Sequence, residues 1–272
     1  CNMSADIEDN DLYTFELTRI VTKIENEITV DDPTDETKTL QLPWYSKVEP
    51  LATHIQEVSK SIYLPKSQVS IDEMIARFKG RRYTYCFIFT SRIEPNSEIN
   101  PIPNINKVGC QVYHLISQLP KNKAFDIYMD NFFTSINLFS YMRKNGYGGC
   151  GTVRSNTLKF PAFLKIKKSK KIEWDTLSGA VVDDVLVVFW MDNGPVNMLT
   201  TIHEITGEES RVERERRRPR TTSTNANKVR SVFGDASKKI LPIPAVIDDY
   251  NHHMDGVDIA DQLRGYYGTQ VP

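Results

Sequence analysis

One stretch constrains the fold more than any other: Phe125-Asp126-Ile127-Tyr128-Met129-Asp130-Asn131-Phe132-Phe133-Thr134-Ser135. It reads as a buried strand that ends in an acid and turns at once into a helix. Side chains alternate along a strand, so Phe125, Ile127 and Met129 share one face. Asp130 then stands at the strand's C-terminal end, where open α/β sheets carry their chemistry. Thr134 or Ser135 supplies a helix cap, Ile136, Leu138, Phe139, Tyr141 and Met142 form the apolar side of the helix, and Asn145-Gly146 stops it. A carboxylate buried at such a strand end needs a cation or a charged partner, because burying it alone is costly. The remaining question is which other acids could meet it.

Composition leaves room for such a sheet and does little to narrow its use. The chain has 272 residues, 40% of them hydrophobic, and a formal net charge of -1. That accommodates one sizeable domain with an insertion, or two small ones. No apolar run reaches the roughly 18 residues that would predict a membrane-spanning helix. The four cysteines, Cys1, Cys86, Cys110 and Cys150, form no C-x-x-C pair. They read as reduced intracellular thiols, with neither a disulfide framework nor a zinc site. The chain begins at Cys1 and ends at Val271-Pro272, and both ends are read as cut.

Four regions are expected. Residues 1–45 form an acidic N-terminal segment, with a short helix within Tyr13–Ile28. Residues 46–160 form the first part of a core. There Leu51, Ile55, Val58 and Ile62 recur at helical spacing, with Pro50 in the first turn and Pro65 beyond the end. Gln68 to Met74 alternates as a short strand containing Asp72, whose simplest reading is a solvated edge position. Tyr83–Ile93, rich in aromatic and β-branched residues, predicts another strand, and Val108–Leu119 a helix. Gly148-Gly149-Cys150-Gly151 leads to a strand at Thr152-Val153-Arg154. Residues 161–240 form an insertion with a lysine-rich patch (Lys165–Lys171) and two strands, Val181–Met191 and Val196–His203. Asp192-Asn193-Gly194-Pro195 joins them as a hairpin. Trp174 belongs to the insertion core. The polar stretch 205–240, with Arg211–Arg220 at its centre, is expected to be mobile unless a partner orders it. Residues 241–272 carry Asp258 and Asp261, which share a face of any helix they occupy. Acids there suit either a helix's first turn or a bound cation. His252 and His253 are adjacent, point apart on a helix, and are read as incidental.

Four segments in order carry a resemblance. They are Ser70-Ile71-Asp72-Glu73-Met74 with Arg77-Phe78-Lys79-Gly80-Arg81; Met129-Asp130-Asn131-Phe132-Phe133-Thr134-Ser135; Gly151-Thr152-Val153-Arg154-Ser155-Asn156; and Tyr250-Asn251-His252-His253-Met254-Asp255-Gly256-Val257-Asp258-Ile259-Ala260-Asp261-Gln262. Together they resemble the piggyBac family of transposases and their domesticated descendants. The resemblance implies an α/β fold: an RNase H-like mixed sheet flanked by helices, with a partly β insertion. It implies Asp72, Asp130 and Asp258 as catalytic acids that also bind metal, with Asp261 as an accompanying ligand. Such carboxylates hold two divalent ions about 3.5–4 Å apart, and oxygen donors suit Mg²⁺, with Mn²⁺ as substitute. The implied chemistry is hydrolytic nicking at transposon ends followed by 3′-hydroxyl attack. The implied partner is double-stranded DNA, in the nucleus, with a homodimer as an allowed assembly and no membrane. Lys165, Lys167, Lys168, Arg216, Arg217 and Arg218 are the candidate phosphate contacts; their simpler reading is a solvated loop or a nuclear-import signal.

Three departures from the family pattern qualify that expectation. Gly80-Arg81 and Tyr83-Thr84-Tyr85 are nearly fused where the family has a longer stretch containing the second strand of the sheet. The expected consequence is a core lacking that strand, with Asp72 displaced. The chain is read as ending soon after Gln270, so the rest of the catalytic-helix region and the family's cysteine-rich, zinc-binding end are expected to be lacking. Asp255 stands where a glycine is usual. The sequence therefore predicts a transposase-derived chain of impaired activity, or else a non-catalytic DNA- or protein-binding relic.

Overall fold

The computed structural model describes residues 48–62, 64–71, 85–88, 99–165, 172–222 and 226–254. They fall into two compact units, one containing 48–62, 64 and 85–88, the other 65–71 and everything from 99 onward.

In the smaller unit, α1 (Glu49–Ile62) starts with an acid and Pro50 in its first turn, both favourable at a helix N-terminus. The Gln56 side chain accepts a hydrogen bond from the Phe87 backbone N–H at 3.2 Å. Residues 85–88 have no regular secondary structure, so the strand expected over Tyr83–Ile93 is not present there; its other residues lie outside the described ones, as does the helix expected within Tyr13–Ile28.

The larger unit is built on a six-stranded sheet. Its strands are β1 (Gln68–Ile71), β2 (Asp126–Met129), β3 (Gly148–Thr152), β4 (Leu177–Val182), β5 (Val185–Met191) and β6 (Pro195–Thr200). Spatially the order is β1-β2-β3-β6-β5-β4. The first three are parallel, and the last three join antiparallel. Parallel neighbours need crossovers; these contain α2 (Lys107–Ser117) and α3 (Ile136–Lys144). Asn106 caps α2, accepting from Gly109 N at 2.8 Å. Ser135 caps α3, and Gly146, at φ 83°, ends it. Ile136, Leu138, Phe139 and Met142 are fully buried, because α3 packs on the sheet face that carries Ile127, Met129, Gly149 and Gly151.

The expected mixed sheet with flanking helices is therefore present. Among the described residues no strand pairs with the outer edge of β1; residues 72–84, where the second strand was expected to be missing, lie outside the described ones.

The glycine run expected only to lead into a strand is itself β3. Glycine disfavours strands on propensity, but here the neighbours require it. A Cβ on Gly149 would come within 3.0 Å of the Phe139 ring, and one on Gly151 within 2.4 Å of the Met129 carbonyl oxygen.

The insertion differs in two places. The apolar run expected as one strand over Val181–Met191 folds back at Asp183-Asp184, whose φ values of 50° and 63° suit a two-residue hairpin turn. The β5–β6 hairpin is as expected, although neither Asn193 nor Gly194 adopts a positive φ. The second difference is β7 (Arg211–Arg217), which pairs antiparallel with β8 (Lys238–Pro244). The arginine stretch is thus an ordered ribbon. Its adjoining helix α4 (Ala226–Phe233) buries Val229 and Phe233 against Leu241 and Trp174. Helix α5, residues 245–254, follows β8 directly. Its Val246 and Ile247 join Ile243 in a core with Tyr128, Cys150, Val188, Trp190 and Met198, covering the face opposite α3.

Candidate active site

Asp130 stands one residue beyond β2, as expected, and partly exposed. Its Oδ1 accepts the Phe132 N–H at 2.8 Å, and its carbonyl accepts the Phe133 N–H at 3.3 Å. These bonds form a tight turn that fixes the carboxylate at the strand end. Thr134 does not cap α3; its hydroxyl donates to the Thr152 carbonyl at 2.5 Å and ties the turn to β3. Asn131 accepts Arg154 Nε at 2.8 Å, so residues from two of the sequence segments meet beside the acid. Asp72, Asp258 and Asp261 lie outside the described residues.

The basic candidates separate by environment. Lys165 is exposed after a short 3-10 turn at Ala162–Leu164; Lys167 and Lys168 lie outside the described residues. Arg216 pairs with Asp192 at 2.6 Å, both mostly buried, and its guanidinium lies 5.3 Å from the centre of the Trp190 ring. Arg217 is exposed. Arg218 donates to the Gly234 carbonyl at 2.7 Å.

Acids far away in sequence explain why the arginine run is ordered. Asp175 accepts both Arg211 and Trp190 Nε1, Asp192 accepts Arg216 and Trp174 Nε1, and Asp248 accepts Arg214. The ribbon is thereby fastened to the sheet. Arg216→Ala should lower unfolding free energy by about 2 kcal/mol, since it leaves a largely buried carboxylate unpaired. Arg217→Ala should stay within about 0.5 kcal/mol. Paired urea titrations check the contrast.

Sequence reasoning missed a second polar cluster, on the face of β2 opposite Ile127 and Met129. Tyr128, 2% exposed, donates its hydroxyl to Asp249 Oδ2 at 2.6 Å. His203 Nε2 lies 3.0 Å from the same oxygen, and His253 Nδ1 3.1 Å from Oδ1. The His253 ring stacks on Tyr128 with centroids 4.4 Å apart. His253 is therefore a packed partner of the sheet and not incidental, whereas His252 beside it is exposed. A neutral His203 satisfies its surroundings: Nε2–H donates to Asp249, and Nδ1, 2.8 Å from the Thr200 hydroxyl, accepts from it. Burial pulls the His203 pKa below its ordinary value, outweighing the opposing pull of Asp249. Burial, then the Asp249 charge, raises the Asp126 carboxyl, while His203 and His253 act the other way. Gly148 makes room for that carboxyl, since a Cβ there would meet Asp126 Oδ1 and Ile202. The available signal was alternation: Asp126, Tyr128 and Asp130 share one face, and Asp249 and His253 stand one helical turn apart.

This arrangement can be set beside known proteins. Residues 86–271 match the family described as Transposase IS4. The chain belongs to that transposase family. Its fold is similar to that in a cryo-EM structure of a piggyBac transposase synaptic complex with hairpin DNA, at 19% identity and a TM-score of 0.55. The match covers 86% of this chain and 47% of the other, so the chain spans about half that protein's length. The piggyBac resemblance drawn from the motifs is borne out in the fold, and the RNase H-like core with it.

Proposed function

We propose that the chain carries the strand-cleavage and strand-transfer centre of a DNA transposase, with Asp72, Asp130 and Asp258 as its acids and Asp261 accompanying them. One observation carries this reading: β1 and β2 are parallel and in register, with Ile71 opposite Met129. In sequence β1 leads directly into Asp72, and β2 directly into Asp130. By alternation Asp130 falls on the Tyr128 face, which α5 covers through Val246 and Ile247. In sequence, Asp258 and Asp261 come four and seven residues after Met254, the last described residue of α5.

The donor set suits a hard divalent cation, Mg²⁺ with Mn²⁺ as substitute, since all four side chains offer carboxylate oxygens. Among the described residues no three His, Cys, Asp or Glu side chains are grouped to hold a metal, and Asp130 is the one described member of the set. Its Oδ2 has no hydrogen-bond partner among the described residues. Bound ions would supply charge stabilisation at the phosphate and a more acidic attacking water. The chain's own part is to hold anionic oxygens rigidly, which the Asp130–Phe132 turn does. Double-stranded DNA is the substrate this reading implies. Of the six basic candidates, Arg217 and Lys165 are exposed among the described residues and open to its phosphates, and Arg216 serves the insertion instead.

The test is thermal unfolding with and without Mn²⁺, beside Asp130→Asn. Binding to the folded state alone at about 100 times the dissociation constant adds about 2.7 kcal/mol. A rise in midpoint that Asp130→Asn abolishes is the expected result. A cooperative transition indifferent to Mn²⁺ overturns the metal centre; DNA binding that persists in Asp130→Asn would then identify a binding-only descendant.

A further inference from the structure

We propose that Phe132 and Arg154 form a seat for an unpaired nucleotide beside Asp130, the ring stacking on the base and the guanidinium meeting its phosphate. The proposal deepens the functional reading above and rests on Asp130 as an active-site acid.

Phe132 stands three residues beyond the end of the largely buried strand β2, yet it is 51% exposed. A single exposed apolar side chain is ordinary on a protein surface, so exposure alone says nothing. Three further observations distinguish this one. First, its backbone is pinned by the acid itself, through the 2.8 Å bond from Phe132 N–H to Asp130 Oδ1. Second, the ring is braced edge-on by Phe133, with centroids 5.1 Å apart and planes at 87°, which limits its wandering. Third, the residue between Phe132 and Asp130 holds a cation: Asn131 Oδ1 accepts Arg154 Nε at 2.8 Å. Arg154 is exposed, and its terminal nitrogens have no partner among the described residues.

An aromatic face and an oriented guanidinium on one turn match the two parts of a nucleotide. Bases stack on exposed aromatic rings whatever their sequence, and arginine forks suit phosphate oxygens. In a duplex the base faces are already covered by their neighbours, so such a ring can engage only a base that is unpaired or turned out. A strand end being cut beside Asp130 is where one arises. A protein partner would make less use of the cation and of an acid two residues away.

The experiment uses a duplex with a short single-stranded overhang and 2-aminopurine at its first unpaired position, with a fully paired duplex as control. Stacking quenches the probe. The whole chain should quench it; Phe132→Ala should abolish quenching and weaken overhang binding about tenfold, and Phe132→Trp should restore both. Arg154→Ala should weaken binding and reduce the salt slope by about one phosphate's worth. Unchanged quenching in Phe132→Ala overturns the seat, as does an equal loss on the fully paired duplex. The Mn²⁺-induced rise in unfolding midpoint, measured on the same variants, keeps the two readings apart. If Phe132→Ala keeps that rise and loses quenching, the seat is supported. If the unsubstituted chain shows Phe132-dependent quenching but no Mn²⁺ rise, the metal centre fails and the nucleotide seat stands.

Discussion

Asp249→Ala should destabilise the larger unit by about 2–3 kcal/mol. The substitution removes the acceptor shared by the Tyr128 hydroxyl and His203 Nε2. A buried donor left without a partner costs roughly 1–3 kcal/mol. Tyr128 bears the larger share because it is almost wholly enclosed, whereas water reaches the partly exposed Asp249 position and offsets some of the loss. Asp249→Asn keeps one acceptor oxygen and should cost less. The order of urea midpoints, unsubstituted above Asn above Ala, tests this; equal midpoints for all three would show that the cluster contributes nothing. The effect bears on function because Asp249 ties α5 to β2 and to the end of β6. Under the proposed metal centre, loosening α5, which precedes Asp258 and Asp261 in sequence, should weaken the Mn²⁺ response along with stability.

The same cluster gives stability a pH dependence of definite sign. His203 has a folded pKa below its ordinary 6.5. As pH falls below that value, the unfolded chain takes up a proton that the folded chain refuses, and stability drops. His203→Gln should flatten the profile there. Asp126 acts oppositely, since its folded pKa lies above the ordinary 3.8. Its contribution is full below that value and is lost as pH rises through the raised one. Unfolding midpoints from pH 4 to about 8 on both chains separate the two.

How much of this was legible depends on how local each cause is. The β2–turn–α3 unit was readable because alternation, a hydroxyl cap at Thr134 or Ser135 and an Asn-Gly stop are written within about twenty residues. The β5–β6 hairpin was readable for the same reason. The β4–β5 turn was not, because a run of apolar residues hides a reversal marked only by two aspartates, and Asp183-Asp184 looks like an ordinary polar interruption. The order in β7 was hidden because each arginine's partner, Asp175, Asp192 or Asp248, lies far from it in sequence. Asp249 was missed most completely: it bonds Tyr128 across 121 residues, and no local pattern announces such a pairing. Of the four acids implied by resemblance, Asp130 is the one whose strand-end setting can be checked, and it stands where alternation put it.

Gly151→Ala should be among the most damaging small substitutions in the chain. A Cβ there would lie 2.4 Å from the Met129 carbonyl oxygen and 2.6 Å from Thr134 Cγ2. The carbonyl belongs to the strand backbone, and Thr134 is held by its bond to Thr152, so neither can give way cheaply. Relief requires β3 to separate from β2 or the turn after Asp130 to shift, and overpacking of this kind costs about 3 kcal/mol. Gly194→Ala provides the control, since nothing lies within 4 Å of its would-be Cβ, and it should stay within about 0.5 kcal/mol. The comparison also bears on the acid. If Gly151→Ala lowers the unfolding midpoint and removes the Mn²⁺ response at temperatures where the chain is still folded, the close approach of β3 sets the position of Asp130. If the Mn²⁺ response survives in the folded fraction, the glycine serves packing alone, and the Asp130 turn is held by its own hydrogen bonds.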